Sequence, residues 1–448
     1  MDNTKANKTV LFVTPDYKSH MNPLIPIGHV FKKNGYRVVV ATGPALISYV
    51  RGQGFEYEEL RLGEESNTGL ITEKRRRQIV LSLESTKNGM VATLAEQAES
   101  RKQSFLWEAE RVADRTLEIL NNLKPNFVIT VQLTFVVTAT LLAIDYPFAT
   151  FITGHPSQFS LPNDIYGYPT GIPDCIKESV EEKDLVQLKR LCESVQNDFT
   201  VDLNRLMRYV NSSAKELTNG LAAASSRLLL FNYPKEVAGD RFSSFPIPVK
   251  FVGASVRKDL LDDKCNAWIE SNKNNNPTIY VAFGTYFSAR IDVLRKVIES
   301  LRGSDFNVIL ATGIADIKQL GNIPEKWLVG RYFPQVALLP HCDLTICHGG
   351  NNTVTESLFF GVPIVVAPFA SDQFGSALGV EEYSLGATFD PNKATVESIR
   401  ISIQVGLKMK SRLKNIGQRL VKRNDLNNIP QWCEKYLVKS AKNSFEVI

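Results

Sequence analysis

Short apolar runs alternate with helix-like segments twice along this chain, and that rhythm leaves few folds open. In the first half the runs are TVLFVT (9–14), YRVVVAT (36–42), FEYEEL (55–60), NFVITVQL (126–133) and PFATFIT (147–153). NPLIPIGHVFKKNG (22–35) has helical spacing, with Pro23 at its first helical position and Gly35 at its end, and 134–144 is an apolar helix candidate. In the second half TIYVAF (278–283), FNVILAT (306–312), LTIC (344–347) and PIVVAP (363–368) alternate with helices expected at 291–302 and 352–360. Strands interleaved with helices predict parallel sheets covered on both faces. The expectation is an α/β protein with two such halves and a cleft between them.

Length supports two domains, since 448 residues are too many for one ordinary core. With 44% hydrophobic and 22% charged residues the chain has the composition of a soluble globular protein. A net charge of +5 is weak evidence for a nucleic-acid partner, because such proteins concentrate basic residues in a stripe. The run EKRRRQ (73–78) is basic, and we read it as the solvated face of a helix within the charged segment 73–124. The segment 178–220 is also polar and helix-like. The N-terminal apolar run is too short for a signal peptide, and no stretch approaches the roughly 20 apolar residues of a membrane span. Six cysteines without a CxxC pair make a disulfide framework or zinc site unlikely on spacing grounds, so a cytoplasmic location is expected.

Ligands of open α/β sheets bind beyond the carboxyl ends of the strands. After the first run comes PDYKSHMNP, where His20 sits in the turn before a helix. An imidazole titrating near neutral pH suits a general base, and equally an ordinary loop histidine. After TIYVAF come Gly284 and Thr285, which let a ligand approach the backbone and offer a hydroxyl. After LTIC comes HGGNNTVTES. A helix N-terminus attracts phosphate, glycines give it room, and His348 and Thr353 add donors. Thr353-Val-Thr-Glu356 also reads as a capping box, in which both side chains serve the helix itself. Beyond Gly361-Val-Pro363 and the next strand, Asp372 and Gln373 can grip sugar hydroxyls.

Pro334-Gln335, His341, His348-Gly349-Gly350-Asn351-Asn352-Thr353, Glu356, Gly361-Val-Pro363, Pro368 and Asp372-Gln373, in that order, resemble the donor-binding signature of the family 1, UGT-like glycosyltransferases. The nearest likeness is to the bacterial branch that acts on natural products such as macrolides and carotenoids. SHMNP (19–23) is similar to that family's GHxNP segment, and VAFGT (281–285) to the strand opening its second domain, so the resemblance covers both halves. It implies the GT-B fold, two Rossmann-like domains flanking a cleft. The boundaries expected are 1–252 for acceptor binding, a linker at 253–264, 265–425 for the donor, and a helix within 426–448 crossing back to the first domain.

The resemblance also implies roles. His20 would be the catalytic base of an inverting, metal-independent hexosyl transfer to a small, partly apolar acceptor. Tyr332 would stack on the nucleobase, in the place of a tryptophan, with Gln335 near the ribose. Gly284, Thr285, His348, Gly350, Asn352 and Thr353 would surround the diphosphate, Glu356 the ribose, and Asp372 and Gln373 the sugar. His341 is read as structural. No cofactor is implied beyond a nucleotide-sugar co-substrate, with UDP-glucose favoured over a deoxythymidine donor. One position departs from the pattern: the carboxylate that steadies the base falls on Val131. Gln132, Asp16, Asp164 and His155 are alternatives for that duty. A non-catalytic nucleotide-sugar binder and a UDP-sugar epimerase are the competing readings. The acceptor pocket is expected from 60–124, from 153–173 and from the surroundings of His20.

Overall fold

The computed structural model describes residues 8–63 and 81–438. The EKRRRQ run, the first seven residues and the last ten therefore lie outside the described residues.

Seven parallel strands form the first sheet: β1 (Thr9–Val13), β2 (Arg37–Thr42), β3 (Glu56–Glu59), β4 (Phe127–Val131), β5 (Phe148–Ile152), β6 (Leu229–Phe231) and β7 (Val249–Phe251), in the order β3-β2-β1-β4-β5-β6-β7. Successive side chains of a strand point to opposite faces. Val10 and Phe12 accordingly pack with Leu24, Ile27 and Phe31 on one side, while Leu11 and Val13 pack with Phe135 and Phe199 on the other. This two-sided burial is why the runs read as apolar throughout.

The second sheet holds β8 (Thr278–Ala282), β9 (Asn307–Ala311), β10 (Leu328–Gly330), β11 (Leu344–Cys347), β12 (Ile364–Val366) and β13 (Gly386–Thr388), in the order β10-β9-β8-β11-β12-β13, again parallel. Ile279 and Val281 face one core, Tyr280 and Ala282 the other. The strand order reverses between β1 and β4 in the first sheet and between β8 and β11 in the second. Crevices form at such reversals, and the segments leaving these four strands are those that carry His20, Gln132, Gly284 and His348.

β6, β7, β10 and β13 had no counterpart in the sequence reading. Each is three residues long, too short for a periodic signal. The expected linker at 253–264 follows β7 and runs into the helix Asp263–Ser271. The helix Ile429–Leu437 returns to the first lobe. Ile429, Cys433 and Leu437 lie in its core, and Glu434 accepts a hydrogen bond from Tyr36 at 2.9 Å.

Candidate active site

His20 sits on the four-residue helix Lys18–Met21, directly beyond β1. Its Nδ1 lies 2.7 Å from Oγ1 of Thr153, the residue that follows β5. Val131 is buried in β4 opposite Phe151 and cannot reach the imidazole. The other candidate partners are engaged elsewhere. Asp164 pairs with Arg241, Gln132 donates to the Gln158 carbonyl at 3.3 Å, and His155 contacts the Ser157 hydroxyl at 2.8 Å. Asp16 accepts from the Ala45 backbone at 3.3 Å. Thr153 went unnoticed in the sequence although it ends the PFATFIT run. A threonine there carries no signal of its own. Burial pulls the His20 pKa down to about 4, so the ring is neutral near pH 7.

The glycine pair after β11 leads into the helix Asn351–Phe360. Gly349 has φ +86, and a Cβ there would come within 2.8 Å of Val366. Gly350 is the N-cap, and no side chain caps the helix. The capping-box alternative is thereby excluded: Thr353 lies inside the first turn, 3.4 Å from the Gln335 amide, and Glu356 turns away toward other partners. The first amides of this helix are left uncapped by side chains, the arrangement that receives anions.

Two asparagines tie this helix start to the first lobe. Asn351 Nδ2 donates to the carbonyls of Thr153 at 2.8 Å and Asn232 at 3.1 Å. Asn352 Nδ2 donates to the Ser19 carbonyl at 2.7 Å. The amide-rich end of the second lobe thus meets the backbone of the residue before His20. Around it, Gly284 (φ +66) opens the turn Gly284–Phe287, and a Cβ on it would stand 3.0 Å from the His348 ring. Thr285 follows it in that turn. His348 leans on Phe287, with ring centroids 5.6 Å apart, and burial lowers its pKa to about 4.

Glu356 is buried, and both of its oxygens are engaged. Oε1 meets Arg257 at 3.1 Å and Oε2 accepts from Gln335 Nε2 at 2.5 Å. Arg257 lies in the connection between β7 and the second lobe, where the sequence gives no motif to find it. Tyr332 is 63% exposed beyond β10, with its ring open to stacking. His341 is exposed at the end of a 3-10 turn, so it serves no core.

Asp372 Oδ2 accepts from the His155 backbone at 3.2 Å across the lobes, and burial raises its pKa to about 6. Gln373 is largely committed to its own turn. Its Oε1 accepts from Phe369 at 2.9 Å and Ala370 at 3.1 Å, which leaves the Nε2 amide to donate outward. A cavity of about 290 Å³ opens beside Asp372, lined in part by Arg101, Gln158, Tyr166, Tyr168 and Phe374. It takes walls from two of the three expected regions, 60–124 and 153–173. A second hollow of about 490 Å³, near Leu60 and Trp107, is lined by charges that pair with one another, such as Arg115 with Glu118.

Residues 295–434 match the family described as erythromycin biosynthesis protein CIII-like, C-terminal domain. The NDP-glycosyltransferase YjiC of Bacillus subtilis is 29% identical over 215 residues, 47% of this chain and 52% of that protein. This alignment thus spans about half of the relative's length. The 4'-demethylrebeccamycin synthase of Lentzea aerocolonigenes is 24% identical over 89% of this chain and 91% of its own. The solved structure of the glycosyltransferase VinC in complex with dTDP superposes with a TM-score of 0.62 at 15% identity, covering 95% of this chain and 98% of that one. The chain has the GT-B fold of this solved glycosyltransferase. The two parallel sheets are the two lobes of that fold. Among the described residues no helix is long and apolar enough to cross a membrane, and no group of three or more His, Cys, Asp or Glu is placed to hold a metal ion.

Proposed function

We infer that this chain transfers a sugar from a nucleoside diphosphate to a hydroxyl of a small acceptor, with inversion and with His20 as general base. The observation that carries this reading is the meeting of His20, held by Thr153, with the uncapped start of the helix Asn351–Phe360. With Nδ1–H donating to Thr153 Oγ1, Nε2 presents its lone pair. It takes the acceptor's proton while that oxygen attacks the anomeric carbon and the bond to diphosphate breaks. Charge developing on the departing diphosphate is met by the helix amides, Thr353 and His348. Glu356 accepts from the ribose, Tyr332 stacks on the base, and Asp372 with the Gln373 amide holds the sugar. The first lobe, residues 1–252, supplies the acceptor side, and the cavity beside Asp372 receives it. UDP-glucose is the donor this reading favours. VinC in complex with dTDP makes dTDP-sugars the comparison to run beside it.

The test is transfer from labelled UDP- and dTDP-sugars across a broad acceptor panel, with and without His20→Ala. We expect the substitution to cut turnover by about 10²–10⁴-fold, the usual worth of a general base, with UDP affinity nearly intact. Full turnover by His20→Ala removes His20 as base. UDP binding with no transfer or donor hydrolysis supports the non-catalytic reading. Interconversion of UDP-sugars without an acceptor points to the epimerase.

A further inference from the structure

Arg257 joins three parts of the molecule. Two residues before it, Ser255 is fastened to the first lobe, donating from Oγ to the Pro23 carbonyl at 2.6 Å and from its backbone to Asn232 at 2.8 Å. Two residues after it, Asp259 receives the guanidinium through Nε at 2.9 Å and Nη2 at 2.8 Å. The remaining Nη1 reaches Glu356 on the second lobe at 3.1 Å. Anchored through Ser255 on one side and gripped by a bidentate carboxylate on the other, the guanidinium is oriented to meet Glu356.

Glu356 needs that partner. Its carboxylate is 4% exposed, and burial alone favours the neutral acid. A neutral acid carries a proton of its own and loses acceptor capacity. Against that burial stand the Arg257 charge and the Gln335 amide, which limit the upward shift of the Glu356 pKa without cancelling it. Asp259, which also faces the site, acts in the opposite sense. Tyr49 and Tyr280 complete the titratable surroundings, and both phenols are pushed upward by burial, so they stay neutral. Tyr49 is further occupied in donating to Asn22 at 2.7 Å.

We propose that Arg257 is a positioning residue of the nucleotide site: it holds Glu356 as an oriented acceptor for ribose hydroxyls without itself touching the nucleotide. This rests on the reading of Glu356 as the ribose contact. Each Glu356 oxygen gives one bond to the protein and keeps further acceptor capacity for a ribose hydroxyl. Without Arg257, the upward shift of the buried acid grows and the ribose meets a poorer acceptor.

The experiment is calorimetric titration of the full chain with UDP across a pH series, for wild type, Arg257→Gln, Arg257→Lys, Glu356→Gln and the Arg257→Gln/Glu356→Gln double variant. Relative to wild type at each pH, Arg257→Gln should weaken UDP binding by about tenfold or more at the acid end of the series, and the gap should narrow as pH rises and the acid ionises. Arg257→Lys should stay close to the wild-type profile, since it keeps the charge. Adding Arg257→Gln to Glu356→Gln should cost little more, as expected of two residues acting through one contact. A pH-independent loss in Arg257→Gln, or additive losses in the double variant, overturns the proposal. Near-native circular dichroism and melting of Glu356→Gln guard against misfolding. If wild type binds neither UDP nor, titrated in the same way, dTDP, the nucleotide-site reading itself fails. If wild type binds and Arg257→Gln is unchanged, only the role of Arg257 fails.

Discussion

The imidazole of His20 meets a hydroxyl where the resemblance led us to expect a carboxylate. A threonine hydroxyl orients the ring but can pair with either tautomer, and it adds no negative charge to stabilise an imidazolium. Burial pushes in the same direction, holding the ring neutral down to about pH 4. On the reading of His20 as base, a ring that is neutral across the neutral range and only weakly basic suits acceptors whose hydroxyls give up a proton readily. Thr153→Val keeps the shape and removes the oxygen 2.7 Å from Nδ1. We expect kcat to fall about tenfold, the order of one lost hydrogen bond, with the donor KM unchanged, as read by steady-state kinetics at saturating acceptor. An unaltered kcat would mean that the ring is oriented by its packing alone.

At the scale of elements, what was legible depended on length and periodicity. The long buried strands, the helix at 352–360 and the order of glycines, Glu356 and Asp372 could all be read, because each has a local pattern. The three-residue strands β6, β7, β10 and β13 could not, since they owe their pairing to neighbours distant in sequence. The site divides the same way. His20 and the helix start announce themselves, whereas Thr153 and Arg257 act through tertiary contact and are ordinary residues in their own segments. The capping-box motif at Thr353–Glu356 misleads because the helix starts two residues earlier, at Asn351. The turn at Gly284 supplies the prediction for this scale. Gly284→Ala puts a side chain at φ +66 and 3.0 Å from the His348 ring, so backbone strain of about 1–2 kcal/mol adds to displacement of His348. Thermal melting should report that destabilisation, and UDP should bind more weakly. Unchanged UDP affinity would place His348 outside the diphosphate site.

The whole molecule is held closed by polar contacts as well as by apolar ones. Arg290, fully buried under the Phe369 ring, donates across the lobes to Thr86 at 3.0 Å, and Glu381 accepts from the backbone of Asp174 at 2.8 Å. Three histidines near the interface carry pKa values depressed by burial, about 4 for His20, about 3 for His155 and about 4 for His348. Unfolded imidazoles titrate near 6.5. Between that value and the depressed ones the unfolded chain binds more protons, so stability falls as pH drops through this window. Asp372, raised to about 6, opposes the trend together with Glu356 and Glu96, also raised by burial, because their folded forms take up a proton first. The three imidazoles set the direction above pH 5, and the melting temperature should fall between about pH 7 and pH 5. His155→Gln should flatten that dependence. A melting temperature that rises on acidification contradicts the balance.

Thr153 has two tasks at once. Its hydroxyl faces the His20 ring, and its carbonyl receives the Asn351 amide from the other lobe. On the reading of His20 as base, the brace of the proton acceptor and the contact between the lobes therefore share one residue. Any change that shifts Asn351 away from Thr153 would be felt at the imidazole as well.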